Sequence, residues 1–168
     1  MNAQSLALAF VYALHFLATV VWIGGLATLV WLVIPAAQNR LEPAAFADLL
    51  THIQRRLDPL GWLCLSVLAA TGMFQLSANP HYTGFLSISS SWAVAILLKH
   101  GVVALMAATS GYMTWGLLPA LRRSALRQAS GVSSPELTLL QRRNIRLLRA
   151  NLALAVVVLL LTAVARAA

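Results

Sequence analysis

Lys99, His100 and His15 are the residues of this chain whose types and positions point to chemistry. Lys99 sits in an apolar stretch, and no charged residue lies between it and Asp58 on one side or Arg122 on the other. Ionisable groups inside a bilayer are expensive and by default mark a functional site. Imidazole is a ligand for copper and for haem iron. An ammonium without a carboxylate has three fates: it snorkels outward, it sheds its proton, or it holds an anionic partner from outside the chain.

The elements that carry these residues are membrane helices. Of the 168 residues 60% are hydrophobic and 10% are charged, against about a quarter charged in a soluble domain; the mean hydropathy is +0.80. A hydrocarbon core takes roughly 20 helical residues to cross. Long apolar runs without alternation exclude a barrel, and lipid-exposed backbone must then be helical. The sequence predicts an all-α integral membrane protein, a four-helix up-down transmembrane bundle forming one domain over residues 1–168. The spans are expected at about 6–34, ended by Pro35; 59–77, begun by Asp58-Pro59; 92–118, ended by Pro119; and 150–165 between Arg149 and Arg166. An amphipathic surface helix is expected at about 43–57, carrying a solvated His52. Ser134-Pro135-Glu136 reads as the capped start of an extension of the fourth helix over about 135–149, with Arg142, Arg146 and Arg149 on one face. The first span lacks a basic leader and exceeds a signal core in length, so it reads as a retained helix with Met1 opening the mature chain.

Basic residues follow the first span (Arg40, Arg55, Arg56) and the third (Arg122, Arg123, Arg127, Arg142, Arg143, Arg146, Arg149), while the segments before residue 40 and from 78 to 91 carry no charge. Positive loops stay in the cytoplasm, which predicts both termini outside. The net charge of +8 is thereby assigned to anchoring and contact with anionic lipid, not to nucleic acid. Glu42, Asp48, Asp58 and Glu136 all fall in segments expected to be cytoplasmic, so hydrolytic and phosphoryl-transfer chemistry has no acid–base pair to use. The single cysteine, Cys64, reads as a packed thiol.

Trp31, Trp62 and Trp115 are expected at the inner interface and Trp92 at the outer one. His15 lies 16 residues from Trp31 and His100 lies 15 from Trp115, so at 1.5 Å per residue both sit roughly 23 Å above the inner interface. With the first and third helices facing each other across the bundle, the two imidazoles are expected to converge. Trp22 lies two turns from His15 on the same face, Thr19 lies between them, and Gly24-Gly25 is expected to allow close backbone approach. Thr71, Gln75 and Thr162 fall in the same outer layer; for Thr71 and Thr162 the reading is a hydrogen bond between helices and nothing more. Met73, Met106 and Met113 read as packing residues.

His15 with Trp22-Ile23-Gly24-Gly25, then Thr71-Gly72 and Leu97-Leu98-Lys99, resembles the pattern of the CopD (copper resistance D) domain along nearly the whole chain. The resemblance implies an inner-membrane protein of copper uptake or tolerance that works with a periplasmic copper-binding partner. The chain departs from the pattern in lacking additional helices and in an outer loop whose only imidazole is His81. His15, Trp22 and Lys99 are also similar to positions of the HemJ-type protoporphyrinogen oxidases, whose further Arg and His after the first-helix motif are replaced here by Leu29-Val30-Trp31-Leu32.

Two cofactor readings stay open. In one, His15 and His100 form an outward-facing metal site for copper in a bacterial inner-membrane protein. In the other, the same two residues are axial ligands of haem b, with Lys99 on a propionate and a redox partner outside the membrane. Trp22 belongs to the candidate site in both. A structural subunit of a larger membrane complex is the third reading, and association into a homo-oligomer fits all three.

Overall fold

The computed structural model of the chain describes residues 2–80, 82, 84, 86–88, 90–132 and 136–167; His81 and the expected cap at Ser134-Pro135 lie outside them. Four helices carry the described chain: α1 (Ala3–Gln38), α2 (Pro43–Ser77), α3 (Ser91–Ala129) and α4 (Glu136–Ala167), each long and apolar enough to cross a membrane. No strand occurs among the described residues, so the fold is all-α as composition requires. Asn2 starts α1 by accepting from the Ser5 amide at 2.9 Å, and Ser90 starts α3 by accepting from the Ala93 amide at 3.2 Å. Both side chains satisfy an amide that the first turn leaves unpaired.

The prolines do not end helices where the sequence predicts. Proline lacks an amide hydrogen and its ring crowds the carbonyl four residues earlier. In α1 the turn before Pro35 widens into a π segment, Leu29–Val33, closed by the Ile34 amide on the Leu29 carbonyl. In α3 the turn before Pro119 does the same over Tyr112–Leu117, closed by the Leu118 amide on the Met113 carbonyl. The extra residue per turn makes room for the ring, and the chain continues as helix to Gln38 and to Ala129. Trp31 and Trp115 each stand four residues before their proline and are exposed, so both odd-numbered helices carry the same Trp-x-x-x-Pro bend.

Pro59 is passed as well. The separate surface helix and second span expected from the sequence are one 35-residue helix, α2. Phe46, Ala47, Leu50, Thr51 and Gln54 before the proline, and Cys64 and Thr71 after it, are all buried. Packing on both sides offsets a proline cost of about 3 kcal/mol. His52 is exposed, as expected of a surface position.

α4 runs unbroken through its arginine-bearing part. Leu137, Gln141, Asn144, Leu148, Asn151 and Ala155 are buried, at steps of four and three that form a coiled-coil-like seam. Arg142, Arg143, Arg146 and Arg149 are exposed on the other faces. The larger core gathers at this basic end and includes Leu29, Ile34, Leu50, Leu117, Leu121 and Leu148. A small cluster of Leu76, Trp92 and Ala93 closes the opposite end, with Ala165 against it. Trp92 is buried at that end, 8% exposed, against Leu76, Ala93 and Ala165. Trp62 and Trp115 stack with ring centroids 5.0 Å apart and joining α2 to α3, in line with their shared level.

α1 packs chiefly on α2, and α3 chiefly on α4. Direct packing of α1 on α3 is not among the principal helix contacts.

Candidate functional site

His15 is held by α2. Its ring Nδ1 lies 2.8 Å from the Thr71 hydroxyl. The Thr71 hydroxyl hydrogen is already donated to the Val67 carbonyl, 2.6 Å away in the turn below. A hydroxyl has one hydrogen, so Thr71 accepts from His15 and the proton of neutral His15 resides on Nδ1. Nε2 is left with the lone pair. A partner on one ring nitrogen that fixes tautomer and orientation is what a metal-ligating histidine requires. The next residue, Gly72, lies beside the ring: a Cβ there would stand in ordinary van der Waals contact with His15 Cε1, at 3.5 Å. Thr71 thus makes the hydrogen bond between helices expected of it, and that bond positions His15. Thr19 donates to the His15 carbonyl within α1, and Thr162 donates to Val158 within α4, not to another helix.

His100, on α3, donates from Nδ1 to the Ile96 carbonyl one turn back, at 2.7 Å. In its neutral form it also carries the lone pair on Nε2. Lys99 is half-buried and interacts electrostatically with His15 and with Arg166. The Arg166 guanidinium stands 5.4 Å above the Tyr12 ring of α1, which ties the end of α4 to the helix bearing His15. No carboxylate pairs with Lys99 among the described residues. Gln75, one turn beyond Thr71, has a buried Nε2 without an acceptor. The layer around His15 is thus rich in donors and positive charge.

Trp22 goes elsewhere. Its indole lies over Gly61 of α2, where a Cβ would stand 3.7 Å from the ring, and it lines a cavity nearer the basic end. It belongs to a different level of the bundle, about 10 Å along α1 from His15 at helical rise. Gly24 has open space around it, and only Gly25 approaches a neighbour, Leu57; the Gly24-Gly25 pair is therefore not the close backbone contact expected. Met106 and Met113 are buried in packing positions, while Met73 is exposed. Cys64 is a buried free thiol.

Sequence reasoning missed a set of buried polar residues at the basic half. Asn144 Nδ2 donates to Gln54 Oε1 at 2.7 Å, with the reciprocal amide contact at 3.5 Å. Asn151 Nδ2 donates to Ser110 Oγ, and Thr114 donates to Asp58 Oδ2, both at 2.9 Å. Asp58 therefore lies within the bundle, bonded to another helix, and not in a loop. The Gln141, Asn144 and Asn151 spacing on α4 was the available signal, since those positions share the seam of Leu137 and Leu148.

No three His, Cys, Asp or Glu side chains among the described residues converge as a metal cluster. Compared with known families, residues 51–165 match the family model described as copper resistance protein D. The matched stretch contains Thr71, Gly72, Lys99 and His100, whereas His15 and Trp22 precede it. Neither the curated proteins nor the solved structures give a match.

Proposed function

Because the chain belongs to the copper resistance protein D family, we propose that it is a multi-pass membrane protein that handles copper, in uptake or tolerance, at an intramembrane histidine site. The observation that supports this most is the Thr71 hydroxyl at His15 Nδ1: engaged as donor to Val67, it accepts a hydrogen bond from Nδ1–H, which leaves the lone pair on Nε2. His100 supplies a second imidazole whose Nδ1 is likewise committed. Two imidazole nitrogens suit monovalent copper, which accepts linear two-coordination, and imidazole is among copper's preferred ligands. A low coordination number favours release, which a carrier of copper needs. Copper here is cargo, delivered by a periplasmic copper-binding partner.

Purified in detergent and loaded with cuprous ion under reducing conditions, the protein is expected to retain about one copper per chain, by metal analysis, once unbound ion is removed. Its visible spectrum is expected to lack a Soret band. Absence of retained copper would defeat the reading.

The donor-rich surroundings favour one competing reading. Lys99, Arg166 and the unpaired Gln75 Nε2 would suit the propionates of a haem b ligated by His15 and His100. A Soret band lost in both His15→Ala and His100→Ala would establish that reading in place of copper.

The distribution of arginines supports a topology with the basic end in the cytoplasm and both termini outside, and the family supports a bacterial inner membrane as the setting. With Cys64 replaced by serine, a cysteine at Ser130 is expected to resist a membrane-impermeant maleimide in intact cells, and one at Ser87 to react. The opposite pattern would invert the topology.

A further inference from the structure

The basic half of the bundle holds a half-open cavity of about 90 Å³ whose wall includes Trp22, Asp58, Ser110, Met113, Thr114 and Asn151. Asp58 brings a carboxylate with about four lone-pair sites. One of its oxygens accepts from Thr114, and no basic side chain pairs with it among the described residues. Asn151 is 4% exposed and gives its amide hydrogen to Ser110, while its Oδ1 is buried with no donor at all. A buried polar atom without a partner has given up its hydration with nothing in return. The cavity thus has a surplus of acceptors, the reverse of the donor-rich layer around His15. The cavity wall lies about 10 Å from the His15 layer at Trp22, seven residues along α1, and about 20 Å from it at Asp58, thirteen residues from Thr71 on α2.

We infer that this cavity is a binding site for a small monovalent hard cation of the alkali-metal type, coordinated by the Asp58 carboxylate and Asn151 Oδ1, with the Ser110 and Thr114 hydroxyls beside them. Oxygen donors select hard ions over soft ones, which separates this site from copper chemistry. Charge selects the valence. One carboxylate balances one positive charge, and a divalent ion bound by it would be left half-compensated. Divalent calcium also calls for six to eight oxygens, more than this wall provides. Trp22, in the same wall, is the built-in reporter.

The test titrates the purified full-length protein with sodium chloride or potassium chloride, holding ionic strength constant with choline chloride, and reads tryptophan fluorescence and the melting temperature. A saturable response to one alkali ion and none to choline is expected. Asp58→Asn, which keeps shape and removes charge, is expected to abolish it. Asn151→Ala is expected to weaken it about tenfold, as loss of one oxygen ligand does, and serves if Asp58→Asn fails to fold. Asn151→Asp, adding a second carboxylate, is expected to bind more tightly, which a purely structural asparagine would not do. His15→Ala is expected to leave the response intact, so failure of the copper reading does not carry over. A response identical in choline, one unchanged in both Asp58→Asn and Asn151→Ala, or one that follows pH alone and marks hydronium as the occupant, would overturn the inference.

Discussion

Replacing His15 by alanine is expected to abolish copper retention by the purified protein while leaving its fold intact. The ring is only half-buried, and its loss removes the lone pair that Thr71 orients. Thr71→Val grades the effect. Valine keeps the shape of threonine but cannot accept from Nδ1, so the imidazole is free to turn and to exchange tautomers. Loss of such an outer partner costs roughly 10–100-fold in metal affinity. Thr71→Ser restores the hydroxyl and is expected to recover most of it. Competition of each variant with a chelator of known cuprous affinity measures the series. Equal affinity in wild type and Thr71→Val would show that Thr71 does not set the ligand.

The second large effect concerns stability. Gln54 and Asn144 form a reciprocal amide pair between α2 and α4, and they are 2% and 0% exposed. Gln54→Leu or Asn144→Leu alone strands a buried amide and is expected to destabilise the protein by about 1–3 kcal/mol. The double variant leaves no polar group unpaired, and replacement of both partners by apolar groups is often close to neutral. It is therefore expected to recover most of the loss. Thermal unfolding in detergent, followed by circular dichroism on all four proteins, closes the cycle. Additive losses in the double variant would show that the two amides act independently.

These outcomes test features of unequal visibility in the sequence. His15, Lys99 and His100 stand out because an ionisable residue in an apolar run is anomalous whatever surrounds it. Thr71 was visible but silent: a threonine in a membrane helix usually bonds to its own backbone, as Thr19 and Thr162 do. Only the neighbouring ring turns the same bond into a tautomer selector. Asp58 was hidden by the proline after it, which reads as a boundary until packing on both sides carries the helix through. Trp22 was placed with His15 by helical periodicity, which gives the face of a helix and not what lies opposite; Gly61 draws the indole to the other level.

The amino-acid order alone determined that this is a helical membrane protein with four spans and a basic end. Each of those properties is local, imposed by lipid on any run of some twenty apolar residues and by charge on whatever flanks it. Tertiary structure decided the rest: which helix partners which, the π turns that let α1 and α3 outrun their prolines, the proton position on His15, and the meeting of Asp58 with Asn151 around one cavity. Those depend on the chemistry of a facing surface, and a linear pattern does not say which surface a helix will face.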